Sequence, residues 1–78
     1  MECLLDCQLP LSQLQEQLAA ELNFPQWYGH NLDALHDCLT GLTAPVTIQV
    51  LHGNANPVLV QVLQDSAAEN PTLTLVFP

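Results

Sequence analysis

Apolar positions recur along this chain with two different periods. Leu11, Leu14, Leu18 and Leu22 are spaced by three and four, which makes one face of a helix, with Gln13, Gln17 and Glu21 on the other face. Ser12-Gln13-Leu14-Gln15 has the spacing of a capping box and sets the expected helix start at Ser12, and Asn23-Phe24-Pro25 stops the helix. A second helix is expected from Asn31 to Leu39, with Asn31 as its N-cap and Thr40-Gly41 as a glycine stop. Here Leu32, Leu35, Leu39 and Leu42 form a core stripe. Asp33, His36, Asp37 and Thr40 form a neighbouring polar stripe with the same spacing, facing solvent or a partner. Asn56-Pro57 reads as a cap followed by proline at the first helical position, opening a third helix that ends near Glu69 and turns Val58, Leu59, Val62 and Leu63 inward.

The other period is two. Val46-Thr47-Ile48-Gln49-Val50-Leu51 is β-branched and alternating, hence a strand. Residues 2–7, around Cys3-Leu4-Leu5, read as a short buried strand, and Thr72 to Phe77 as a last one. His52-Gly53-Asn54-Ala55 is a loop, and Gln26 to His30 a connector with two adjacent aromatics and a glycine. The order is β-α-α-β-α-β. Helical length separates each pair of strands, so parallel pairing with right-handed crossovers is expected. The fold class predicted is α/β, a small three-stranded parallel sheet covered by helices, in a single domain over residues 1–78.

Charge changes the picture more than length does. The chain has 78 residues, eight Asp and Glu, and no Lys or Arg, for a formal net charge of -8. With nothing to neutralise phosphates, neither nucleic acid nor an anionic membrane is an expected partner. A basic protein is favoured by a field of one sign. No basic start precedes the first apolar run, so no signal peptide is expected. No stretch is long enough to span a bilayer. Cys3 and Cys7 on one extended strand would lie about 13 Å apart, too far to bridge, so Cys3, Cys7 and Cys38 are read as reduced and the compartment as cytoplasmic.

Candidate chemistry is sparse. No Cys or His pair has zinc-site spacing, and Cys38 borders the leucine stripe as a half-buried inert thiol. Asp33 and Asp37 lie one helical turn apart, a like-charge pair that mildly destabilises a helix. Acid–base chemistry wants a cleft that shifts one pKa, and calcium wants more oxygens, so a metal-dependent enzyme built on this pair is the least favoured reading. No cofactor, metal or catalytic residue is assigned. A pair without internal cations suggests cations on another molecule. Trp27 and Tyr28 sit beside Gly29 in a connector, where binding residues concentrate.

The run from Phe24 to Gly41, above all Tyr28-Gly29, Asn31-Leu32-Asp33-Ala34-Leu35 and Asp37-Cys38-Leu39-Thr40-Gly41, resembles the barstar family, intracellular inhibitors of barnase-type bacterial ribonucleases. The likeness extends weakly back to Ser12 and forward through the third helix and last strand. It implies a non-enzymatic inhibitor whose second helix and preceding loop block a ribonuclease active site, with acidic side chains standing in for RNA phosphates. By motif position, Asp37 would be the main phosphate mimic, and Asp33 would pair with a basic residue of the enzyme. Trp27 stands where the family has a tyrosine that stacks on the catalytic histidine. Asn31, Gly29, Thr40 and Gly41 would shape the contact edge, and Asp65 stands in for a glutamate that reaches a further base. His36 and Leu42 each replace a family tryptophan. The partner implied is a basic ribonuclease bound one-to-one by a protein that is monomeric when free. The alternative is an immunity or interaction module with this fold that binds a different basic toxin.

Overall fold

A computed structural model describes residues 1–25, 29 and 31–78. The chain runs β1 (Glu2–Asp6), α1 (Leu11–Glu21), α2 (Leu32–Thr40), β2 (Val46–Leu51), a single 3-10 turn (Gly53–Ala55), α3 (Pro57–Glu69) and β3 (Leu73–Val76). The strands form one parallel sheet in the order β1-β2-β3. Leu4 pairs with Gln49, and Gln49 with Val76, in one row across the sheet.

That order dictates where the core lies. Each crossover moves one strand further in the same direction. Right-handed crossovers then put every helix on the same face. Cys3, Leu5, Val46, Ile48, Val50 and Leu73 point to that face and are buried against Leu14, Leu18, Leu35, Leu39, Leu59 and Leu63. The opposite face carries Leu4, which is 54% exposed, so the first strand is not buried through its whole apolar run as its sequence suggested. Its residues alternate because only one face of the sheet is covered. Gln17 of α1 donates its amide to the Leu4 carbonyl at 2.7 Å on the outer edge of β1.

Several boundaries differ from expectation, each for a local reason. The first helix begins at Leu11, with Pro10 in the N-cap position and no side-chain cap. The Pro10 carbonyl accepts from both Gln13 and Leu14 N–H, so Ser12 lies inside the first turn and forms no capping box. Buried Gln15 then faces inward instead of closing that box. The helix ends as its sequence suggests. Asn23 takes a left-handed conformation at φ 56° and the Phe24 N–H bonds back to the Ala19 carbonyl, a Schellman ending that asparagine tolerates. In α3, Asn56 caps the Leu59 N–H and Pro57 opens the helix. Val58 is 60% exposed, however, because the inward face runs through Leu59, Leu63 and Ser66. The last strand starts at Leu73, since Thr72 is engaged elsewhere, and the first ends at Asp6, although the Cys7 N–H still bonds to Leu51.

Cys3, Cys7 and Cys38 are free thiols, all buried, and desolvation raises each above its ordinary pKa. Cys38 is 8% exposed, more enclosed than a half-buried position. No helix among the described residues is long and apolar enough to cross a membrane.

Candidate functional site on the second helix

Helix α2 is short, and its two ends are held by different means. At the N-terminus the Asn31 side chain accepts from the Ala34 N–H at 2.7 Å, while its own carbonyl takes the Leu35 N–H. At the C-terminus Gly41 stays right-handed, at φ -84° and ψ -4°, so the expected left-handed glycine stop does not form. The Gly41 N–H and the Thr40 hydroxyl both donate to the Asp37 carbonyl, each at 3.1 Å. A Cβ on Gly41 would lie 3.3 Å from that same carbonyl, which leaves little space for a side chain. The stop itself comes from buried Asn70, just past α3. Its Nδ2 donates to the Leu39 and Leu42 carbonyls at 2.9 and 3.0 Å, and its Oδ1 accepts from the Thr72 N–H at 3.0 Å. The Thr72 hydroxyl lies 2.7 Å from Asn70 Oδ1 and 3.2 Å from the Leu42 carbonyl. Every polar valence of the asparagine amide is therefore engaged.

Held this way, α2 turns Leu35, Cys38 and Leu39 into the core and its acids outward. The two aspartates have different electrostatic settings. Asp33 sits in the first turn, where the helix dipole favours a carboxylate. Asp37 lies toward the C-terminal end, where the dipole disfavours it, and no basic residue occupies the last turn. Its side chain is 75% exposed and, among the described residues, its nearest cationic candidate is His36 Nδ1, 4.0 Å away.

His36 is not free on the polar stripe. Its Nε2 lies 2.5 Å from Glu69 Oε2, joining α2 to the end of α3, and the ring is only one-third exposed. Glu69 therefore stands on the same acidic surface as Asp37. Sequence reasoning passed over it as a helix end. The only cue was its place one turn after Asp65 on α3. Asp65 is exposed and accepts from Gln61 Nε2 at 2.9 Å within its own helix. Beside Asp37 opens a cleft of about 280 Å³, walled by Leu22, Phe24, Pro25, Cys38 and Leu42.

Gly29 and Asn31 are exposed at the start of this surface, while Trp27 and Tyr28, with Gln26 and His30, lie outside the described residues. Asp33, His36, Asp37, Thr40 and Gly41 share α2 and its end. Among the described residues no group of three or more His, Cys, Asp or Glu side chains is arranged to hold a metal ion. The surface offers carboxylates, a short helix edge and an adjacent cleft, which suits recognition of cations.

Residues 9–77 match the family described as Barstar (barnase inhibitor). The chain belongs to the barstar family. It is also 53% identical over 36 residues to the "Putative ribonuclease inhibitor YrdF" of Bacillus subtilis (strain 168). That stretch is 45% of this chain and spans 40% of the relative's length. The parallel sheet and β-α-α-β-α-β order are those expected from the pattern of strands and helices along the sequence.

Proposed function

We propose that this protein inhibits a bacterial ribonuclease by laying α2, the connector before it and the end of α3 over the enzyme's basic active site. Asp37 is the principal phosphate mimic. The observation that carries this reading is its setting: an exposed carboxylate near the wrong end of a helix dipole, one turn from Asp33, in a chain without Lys or Arg. Such a charge gains little from its own fold and gains much from a cation supplied by a partner.

Asp33 pairs with a second basic group, and Glu69 and Asp65 extend the acidic surface along α3. Trp27 and Tyr28 supply aromatic contacts from the connector. Asn31, Gly29, Thr40 and Gly41 shape the edge through which α2 approaches, and His36, tied to Glu69, shields part of the acidic field when it is protonated. Inhibition is stoichiometric, by one free monomer on one enzyme in the cytoplasm, without turnover or cofactor. A field of one sign accelerates encounter and makes the association rate fall with salt.

The test is Asp37→Ala, measured by inhibition of a barnase-type ribonuclease and by urea unfolding. Truncating one partner of a desolvated charge pair costs about 2–5 kcal/mol of binding. The free protein should be as stable as the parent or slightly more so, since a repulsion is relieved and alanine favours the helix. Full inhibition by this variant would refute the mechanism.

A further inference from the structure

The face of the sheet opposite the helices is a second open surface among the described residues. Parallel sheets are ordinarily covered on both faces. Here the consecutive strand order sends every helix to one side, and among the described residues nothing packs over Leu4 or Val76, the latter 42% exposed. The register sets three rows across this face. They are Glu2-Thr47-Thr74, Leu4-Gln49-Val76 and Asp6-Leu51. Leu4, Leu51 and Val76 thus surround Gln49 on this face, with carboxylates at the two ends of β1.

We propose that this open face is a second docking surface, and that its occupant is a cationic amphipathic helix of a partner protein. Adjacent strands are about 4.8 Å apart, so three of them make a face about 10 Å across, the diameter of one helix. An apolar stripe on that helix covers Leu4, Leu51 and Val76. Lysine or arginine on its flanks meets Glu2 and Asp6. The charge decides between occupants. Two copies of this chain would bring together net charges of -8 each with no Lys or Arg on either, and His52, 3.0 Å from Asp6 in the same chain, leaves Glu2 without a base. An anionic lipid surface is repelled for the same reason. This face points away from α2, so occupancy here leaves the acidic helix free. The proposal does not depend on ribonuclease inhibition.

The probe is a synthetic amphipathic Leu/Lys helix of about 14 residues, titrated into the isotopically labelled full chain and followed by backbone amide shifts. Its control is a peptide of the same composition with the leucine periodicity scrambled. The expected result is saturable shifts at Leu4, Gln49, Leu51 and Val76, with the scrambled peptide binding about tenfold more weakly or worse. Leu4→Ser with Val76→Ser should weaken binding about tenfold while leaving the unfolding midpoint close to the parent's, because both side chains are exposed. Glu2→Gln alone should weaken it less and reduce its salt dependence. Shifts confined to α2, equal binding of the scrambled peptide, or indifference to the Leu4 and Val76 substitutions would overturn the proposal. So would the absence of any shift. Concentration-dependent self-association mapped to this face would also overturn it, naming a second copy as the occupant.

Discussion

Two asparagines hold the two ends of α2, and they do so at opposite ranges. Asn31 caps a backbone N–H three residues ahead of it. Asn70 reaches back to carbonyls 31 and 28 residues away. The first is an exposed bond made within one turn of chain, available as soon as that turn forms. The second is buried and forms only when α3 has packed beside α2. The helix bearing the candidate functional surface is thus set in place by a distant residue, even though its own sequence supplies a glycine that looks sufficient. The position of Thr40, Gly41 and the Asp37 carbonyl is therefore a property of the fold rather than of the α2 sequence.

The largest effect is expected at the distant end. Asn70→Ala removes an amide that uses all its donors and acceptors and strips partners from buried carbonyls. It should destabilise the domain by about 2–3 kcal/mol in urea unfolding. Asn70→Asp should be at least as damaging, because a carboxylate faces two carbonyl oxygens. If either variant unfolds like the parent, the clamp is incidental and Gly41 alone suffices to end the helix.

A smaller loss, about 1 kcal/mol, is expected from Asn31→Ala, with Asn31→Ser close to the parent because serine caps as well. Equal losses at Asn31 and Asn70 would erase the distinction between the local and the distant device. Thr72→Val probes the distant clamp more gently. It keeps the shape but removes the hydroxyl, and should cost about 0.5–1.5 kcal/mol.

The smallest effect concerns Asp6, where local and distant bonds meet on one side chain. Its Oδ1 accepts from the Gln8 N–H two residues on and lies 3.0 Å from His52 Nδ1, 46 residues away. The backbone bond from Gln8, then the His52 contact, lower its pKa below the ordinary 3.8. The folded state thus releases the Asp6 proton more readily than the unfolded state. Its stabilising contribution is complete above the unfolded pKa and is lost as pH falls through the folded one. Asp6→Asn should therefore lower the urea midpoint relative to the parent at about pH 5, and the difference should shrink at about pH 2.5. If the gap widens on acidification, the sign of this linkage is wrong. Because Gln8 is the larger cause, His52→Ala should move the Asp6 titration only partway back toward 3.8.

Local regularities were legible in the chain. The leucines at three and four spacing placed α1 and α2, alternation placed β2, and Asn56-Pro57 marked the start of α3. Asn31 read correctly as a cap because its bond spans three residues. The acidic stripe was legible for the same reason, since helical period alone puts Asp33 and Asp37 on one face. What failed was the reading of features whose partners are remote. Ser12 looked like a cap, yet Pro10 opens the helix. Val58 looked buried on its composition. The contact of His36 with Glu69 gave no signal in the sequence, and Glu69 was overlooked.

By itself, then, the sequence determined the elements, the parallel connections that helix-length crossovers require, and the charge that points to a cationic partner. These depend on neighbours within one turn or on composition. Only the tertiary structure decided the strand order and, with it, the one-sided core and exposed Leu4. It also decided the joining of His36 to Glu69 and the ending of α2 by Asn70. Each of these is a contact between segments far apart in the chain, and its strength comes from burial or geometry that exists only once the core has closed.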